Sequence, residues 1–111
     1  MSCGMYKAVF CLQRKDEMDE ESFRDYWATD HAALANRLPG LREYTVTFVD
    51  DPDRGYEGVA SLWFDDRKAL DAALNSSQAE TLMADLPNFS KPDEMLSLFG
   101  EERDMFDPNS A

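Results

Sequence analysis

The sequence predicts an α+β fold in which one antiparallel sheet of four strands carries two helices on one face. Three observations lead to it. Short runs of aromatic and β-branched residues are typical of strands, an apolar stripe before residue 39 has helical spacing, and residues 50–55 form a strong turn signal between two of the runs. The resulting order, strand, helix, strand, strand, helix, strand, is that of the ferredoxin-like βαββαβ arrangement.

The N-terminal third of the chain predicts a strand and then a helix. Residues 5–13 form a short apolar run that ends at a charged cluster, as a strand followed by a turn does. Asp19 then stands as an N-cap before two glutamates, and the helix dipole favours acidic residues in a first turn. We expect the first helix over residues 20–37, with Pro39 and Gly40 ending it.

A hairpin and a second helix are predicted next. Residues 41–49 are a dense run of β-branched and aromatic residues, and residues 58–64 resume the pattern after a turn rich in Asp, Pro and Gly. Asp65 or Asp66 then caps a helix with leucines at helical spacing. The polar triplet at residues 75–77 can interrupt this helix.

The C-terminal quarter is predicted to hold a loop, the last strand and a tail. Residues 88–92 form the loop and residues 95–99 the strand, whereas residues 101–111 are acidic and either loose or packed on a partner. The length of 111 residues fits a single domain over residues 1–111, with its core at about 5–100.

Composition excludes several classes of partner. The chain carries 23 acidic and 11 basic residues, a formal net charge of −12, and no basic cluster, so repulsion disfavours nucleic acid and anionic membranes. No apolar run approaches the roughly 18 residues of a membrane span, and a secretory signal pattern is missing. If the segment from Cys3 to Cys11 is a strand, at about 3.3 Å per residue the two cysteines are roughly 26 Å apart, too far for a disulfide. These features indicate a soluble, cytoplasmic protein with reduced thiols.

The predicted sheet is apolar on both faces. The first strand places Phe10 and Leu12 on one side and Val9 and Cys11 on the other, and the strand at residues 58–64 shows the same pattern. Two helices cover only one face, so the other face needs a second cover. We expect a homodimer in which the sheet faces of two copies pack together.

His31, the only histidine, is the first candidate for chemistry. Phe23, Trp27, His31, Leu34 and Leu38 recur at helical spacing and form one stripe, so the imidazole points toward the core. Its ordinary pKa of about 6.5 suits general acid/base work near neutral pH. The alternative is a buried histidine that packs and makes hydrogen bonds.

Tyr44 is the predicted polar partner of His31. It shares one face of its strand with Val46 and Phe48, and its phenol could donate to a developing oxyanion while His31 moves a proton. Such a site needs neither metal nor cofactor and suits enolisation, isomerisation, cyclisation or decarboxylation of a small hydrophobic carbonyl compound. The alternative is that Tyr44 is an aromatic core residue.

Aromatic and basic side chains near this pair are candidate ligand contacts. Phe23, Trp27, Phe48 and Trp63 are expected substrate-binding residues, and Phe23, Trp27 and Trp63 could form an aromatic wall. They would equally fill a core. One of three arginines could bind a substrate carboxylate, although surface ion pairs explain them as well: Arg14, Arg37 and Arg42.

No metal and no cofactor is expected. One histidine with scattered carboxylates such as Asp30 has no spacing that defines a metal site. Glycine is rare and no glycine-rich loop opens a helix, so flavin, nicotinamide and nucleotide sites lack support.

Three short motifs resemble the EthD domain family across almost the whole chain: Arg14-Lys15, then Phe23-x-x-Tyr26-Trp27-x-x-x-His31, then Leu38-Pro39-Gly40-Leu41-x-x-Tyr44. The resemblance implies the dimeric α/β-barrel architecture of muconolactone-type isomerases, quinone-forming monooxygenases and aromatic polyketide cyclases. Ala32 departs from the commoner family pattern, in which a proline often follows the histidine.

Three functions follow from these observations. The leading hypothesis is a small dimeric enzyme, a cofactor-independent isomerase, cyclase or monooxygenase-like protein, in which His31 is the acid/base and Tyr44 its partner. The second is a non-catalytic accessory protein of an oxidative degradation pathway that binds a small hydrophobic ligand. The third is a stress or regulatory dimer with a closed core.

Overall fold

The computed structural model describes residues 5–51 and 55–106 and confirms the predicted fold. Its sheet has the order β2-β3-β1-β4, and every neighbouring pair is antiparallel. The strands are β1 (Tyr6–Leu12), β2 (Glu43–Phe48), β3 (Gly58–Phe64) and β4 (Leu96–Glu101). Cys3 and residues 107–111 lie outside the described residues, so the predictions about the Cys3–Cys11 pair and the end of the tail stay predictions.

The predicted helices are present but divided. The first consists of α1 (Glu20–Tyr26), a π-helical turn (Trp27–His31) and α2 (Ala32–Ala35). The second is broken at the polar triplet into α3 (Arg67–Leu74) and α4 (Ser77–Asp85). Three side chains cap helix starts by accepting a backbone N–H: Asp19, Asp66 and Ser76. Short 3₁₀ turns at Leu86–Asn88 and Pro92–Glu94 precede β4.

The π-helical turn changes which side chains face the core. With an α-helical period the stripe after His31 continues at Leu34, but the wider turn shifts the inward direction by one residue. Ala35 is therefore buried at 2% exposure, while Leu34 is only half-buried. His31 keeps its predicted inward direction, and its exposure is 6%.

Helices cover one face of the sheet and leave the other open. The register pairs Ala8 with Leu62 and Phe10 with Ala60 on the helix-covered face, where Ala8, Ala60 and Leu62 are buried. We call the opposite face, which carries Val9 and Trp63, the open face. It is only partly buried, because the alternate residues of β3 are half-exposed.

Gly58 permits the close approach of the helices to the sheet. A Cβ atom at this position would lie 2.3 Å from a ring carbon of Trp27. Trp27 therefore packs directly on the β3 backbone, and its exposure is 1%.

Candidate functional site

His31 lies at the centre of a polar cluster in the helix layer. It belongs to the π-helical turn, and its Nδ1 is 2.8 Å from Oδ2 of Asp85, the last residue of α4. The second oxygen of Asp85 accepts hydrogen bonds from the Tyr26 hydroxyl at 2.6 Å and from the Asn88 amide at 2.9 Å. We call these four residues, Tyr26, His31, Asp85 and Asn88, the Asp85 cluster.

Burial and hydrogen bonding set the charges in this cluster. Burial lowers the pKa of His31 below its usual value, and the opposing effect of Asp85 does not outweigh it. Burial acts to raise the pKa of Asp85, but hydrogen bonds from Tyr26, His31 and Asn88 together lower it. The hydrogen bond to Asp85 raises the pKa of Tyr26. At neutral pH the cluster therefore holds a neutral imidazole beside an ionised carboxylate.

The second ring nitrogen of His31, Nε2, has no hydrogen-bond partner among the described residues. In the same part of the chain, no fully buried side-chain nitrogen or oxygen lacks a partner. Nε2 therefore keeps contact with solvent, although the ring as a whole is buried. An imidazole with one nitrogen held by a carboxylate and the other accessible has the arrangement of a general base.

Phe89 packs against the cluster and completes its apolar surroundings. It is fully buried, and its ring centroid lies 4.6 Å from that of His31 and 5.2 Å from that of Tyr26. Its position in the loop before β4 gave no sequence signal for this contact.

Tyr44 has a different partner from the one predicted. Its hydroxyl oxygen accepts a hydrogen bond from Nε1 of Trp27 at 2.8 Å, and burial raises its pKa. The predicted direct pair of His31 and Tyr44 is not formed, because Asp85 bonds to His31 and Trp27 bonds to Tyr44. Trp27 stands between the two, since its ring centroid is 6.4 Å from that of His31. Their catalytic roles stay predictions.

A small apolar cavity lies between the helices and the sheet. Its volume is about 30 Å³, and Tyr44 is the polar member of a lining that is otherwise aliphatic, aromatic or methionine side chains. His31 is not part of this lining, but Ala35, one helical turn later, and Leu86, next to Asp85, are. The cavity is thus lined by residues that neighbour the Asp85 cluster along the chain, but by none of its four members.

The four expected ligand-binding aromatics divide between two faces of the sheet. Phe23 and Trp27 are fully buried and in edge-to-face contact, and Phe48 packs on Trp27. Trp63 lies on the open face, where its Nε1 donates to Glu102 at 2.7 Å. The expected aromatic wall of Phe23, Trp27 and Trp63 is therefore wrong, since the sheet separates Trp63 from the other two.

Two of the three candidate arginines are committed to ion pairs. Arg14 Nε lies 2.9 Å from both carboxylate oxygens of Glu57, and Arg42 binds both oxygens of Asp65. Arg37 lines a surface recess beside the start of α4. None of the three lines the apolar cavity.

Neither a metal site nor a membrane span is found in residues 5–51 and 55–106. No three His, Cys, Asp or Glu side chains in these ranges converge in a way that could hold a metal ion. No helix within them combines the length and the apolar character that crossing a bilayer requires.

Fold and site together define a small ferredoxin-like α+β protein with a buried histidine in its helix layer. A family model described as the EthD domain matches residues 15–93, a range that includes His31, Tyr44 and Asp85. The chain belongs to the EthD domain family.

Solved structures share the fold. An EthD family protein from Bacillus halodurans has a TM-score of 0.74 and 24% identity, covering 89% of this chain and 99% of its own. A dimeric ferredoxin-like protein of unknown function from Thermobifida fusca has a TM-score of 0.69 and 13% identity, and the match covers 89% of this chain and 92% of that protein. Hydroxynitrile lyase from Passiflora edulis has a TM-score of 0.74 and 13% identity, and the match covers 96% of this chain and 100% of that protein. No curated protein matches the chain.

Proposed function

We propose that this EthD-domain protein catalyses a cofactor-free proton transfer on a small, hydrophobic carbonyl or aromatic compound, with His31 as the general acid/base. One observation carries the proposal: a neutral, buried imidazole has one nitrogen bonded to Asp85 and the other accessible to solvent. General bases in enzymes combine this accessibility with a pKa near the working pH.

The chemistry that suits this arrangement is proton removal next to a carbonyl. Nε2 of His31 takes a proton from the carbon, and the electron pair of the broken C–H bond moves onto the carbonyl oxygen. Tyr44, whose oxygen is held by Trp27, is the proposed donor to that developing oxyanion. Return of the proton to another position gives isomerisation, and attack of the enolate on a second carbonyl gives cyclisation.

The working form is proposed to be a homodimer joined through the open faces. Leu96 and Leu98 of β4 lie on this face with 40% and 54% of their surfaces exposed. A groove of about 500 Å³ runs along the same strand and includes Val9 and Met105, and Met105 is 89% exposed. Contiguous exposed apolar side chains mark association sites. The dimeric description of the Thermobifida fusca protein supports this assembly.

The proposed chemistry is tested without knowing the natural substrate. Acetophenone is incubated with the protein in D₂O, and loss of its methyl protons is followed by ¹H NMR. We expect exchange above the protein-free rate, and we expect His31→Gln to remove it, because positioned acid/base groups contribute roughly 100-fold or more. Asp30→Asn is the matched control, since Asp30 is exposed and adjacent in sequence. Equal rates for wild type and His31→Gln would reject His31 as the base.

A second function, binding without catalysis, has its own supporting observation. The apolar cavity, which Tyr44 lines and His31 does not, would have to widen from about 30 Å³ to hold a small ligand, and such a ligand need not touch the histidine. An accessory protein that holds a small hydrophobic ligand for another enzyme would bind acetophenone by calorimetry and leave its methyl protons unexchanged.

A further inference from the structure

Asp85 is unusual among the carboxylates of the described residues. Nearly all of them are exposed, and three are partly buried: Glu57, Asp85 and Glu102. Glu57 pairs with Arg14 and Glu102 with Lys7, whereas Asp85 has no lysine or arginine partner in the described part of the chain. Its side chain is only 11% exposed. Holding an ion this far from water without a permanent counter-charge costs free energy, so the arrangement calls for a role beyond packing.

The hydrogen bonds around Asp85 determine the proton position on His31. An ionised carboxylate only accepts hydrogen bonds, so each of its three neighbours must donate to it. The Tyr26 hydroxyl and the Asn88 amide donate to Oδ1, and Nδ1 of His31 must carry the proton that it shares with Oδ2. In a neutral imidazole the lone pair is then on Nε2.

Asp85 itself is held from two sides. Tyr26 ends α1, 59 residues before Asp85, and Asn88 lies in the 3₁₀ turn three residues after it. These donors occupy Oδ1, so that Oδ2 is the oxygen that faces His31. The side chain cannot rotate away from the imidazole without breaking both bonds.

We propose that Asp85 is the positioning residue of His31: it fixes the Nδ1–H tautomer, makes Nε2 the basic nitrogen and stabilises the imidazolium formed when Nε2 takes a proton, with Tyr26 and Asn88 locking its carboxylate. This inference deepens the proposed function, since it says how the proposed base is prepared. Replacing such a carboxylate with an amide leaves the shape intact but allows the other tautomer.

The tautomer is read directly by ¹⁵N NMR. Because the chain contains one histidine, ¹⁵N-histidine labelling gives the signals of a single ring. In the wild type at pH 7.5 we expect a protonated Nδ1 and an unprotonated Nε2. In Asp85→Asn, whose amide can donate as well as accept, we expect a measurable population of the Nε2–H form. Asp30→Asn, which alters an exposed carboxylate beside His31, should leave the spectrum unchanged.

The exchange assay adds the catalytic readout. Asp85→Asn should lower the rate of acetophenone exchange by roughly 100-fold or more. Tyr26→Phe removes one of the two hydrogen-bond donors to Oδ1 of Asp85 and should lower the rate by a smaller factor. A structural role for Asp85 predicts instead that Asp85→Asn alters the melting temperature without changing the tautomer or the exchange rate of the folded protein.

Each outcome decides for or against the inference. An Nε2–H tautomer or an imidazolium in the wild type at pH 7.5 overturns it, and this result needs no variant to fold. An Nδ1–H tautomer that shifts in Asp85→Asn supports it even if no exchange is detected, in which case the proposed catalytic function alone fails. Exchange that depends on His31 and not on Asp85 supports the function and rejects the positioning role.

Discussion

At the scale of single residues, His31 makes the stability of the fold depend on pH. Burial lowers its pKa in the folded state, so the unfolded chain binds a proton first as pH falls. The stabilising contribution is complete above the ordinary histidine pKa of about 6.5 and is lost as pH falls toward the lowered folded value. We expect the urea midpoint to decrease between pH 7.5 and pH 5.5.

His31→Gln separates this effect from other titrations. Glutamine is uncharged throughout that range, so the decrease in midpoint should be smaller in the variant than in the wild type. The lowered pKa of Asp85 acts in a more acidic window, below about 4, and does not confound the comparison. If the urea midpoints of wild type and His31→Gln decreased equally with falling pH, the pKa of His31 would not differ between the folded and unfolded states.

Tyr44 combines a packing contact to Trp27 with the proposed role of oxyanion donor. Tyr44→Phe removes the acceptor of the buried Trp27 Nε1–H, and an unpaired buried donor costs about 1–3 kcal/mol. We therefore expect a lower melting temperature together with a roughly 100-fold loss of acetophenone exchange. Tyr6→Phe is the control, because the Tyr6 hydroxyl accepts one hydrogen bond from the described residues, a long one of 3.3 Å from Arg67. Unchanged exchange in Tyr44→Phe would assign Tyr44 to the core alone.

At the scale of elements, the packing of the first helix on β3 depends on the missing side chain of Gly58. Gly58→Ala places a methyl group 2.3 Å from the Trp27 ring, which is fixed among other aromatic rings. We expect a loss of about 1–3 kcal/mol in unfolding free energy, measured by urea denaturation. The same substitution in a Trp27→Leu background is the matched control, because the ring that the added methyl group meets is then absent and the loss should be smaller. Equal losses would contradict the proposed clash.

The sequence predicted elements better than it predicted their contacts. Apolar spacing located His31 inward, but an α-helical period cannot reveal a π-helical turn, so Leu34 was placed where Ala35 lies. Alternation along β3 identified two apolar faces without showing which one the helices cover. Trp63 was therefore predicted beside Phe23 and Trp27, although it lies on the open face. Asp85 was missed because it lies 54 residues from His31 and is one of 23 acidic residues. Sequence spacing carries no signal for such a contact.

At the scale of the whole molecule, the proposed homodimer depends on the open face. Leu98→Lys puts a charge in the proposed interface, and burying an unpaired charge is costly. We expect the dimer to become a monomer at micromolar concentration by light scattering. Met83→Lys is the control, since Met83 is also exposed, at 37%, but lies in the helix layer. A wild-type monomer, or a Leu98→Lys dimer, would reject this interface.

The Asp85 cluster also bears on how the chain folds. Tyr26 and His31 come from the first helical segment, whereas Asp85 ends the second helical segment and Asn88 follows it, so that 54 to 62 residues separate the partners. Contacts of such long sequence separation form only after the intervening loop has closed. The imidazole therefore acquires its carboxylate partner when the two halves of the helix layer dock. The ¹⁵N signals of this one ring therefore report the completion of folding as well as the tautomer that the proposed proton transfer requires.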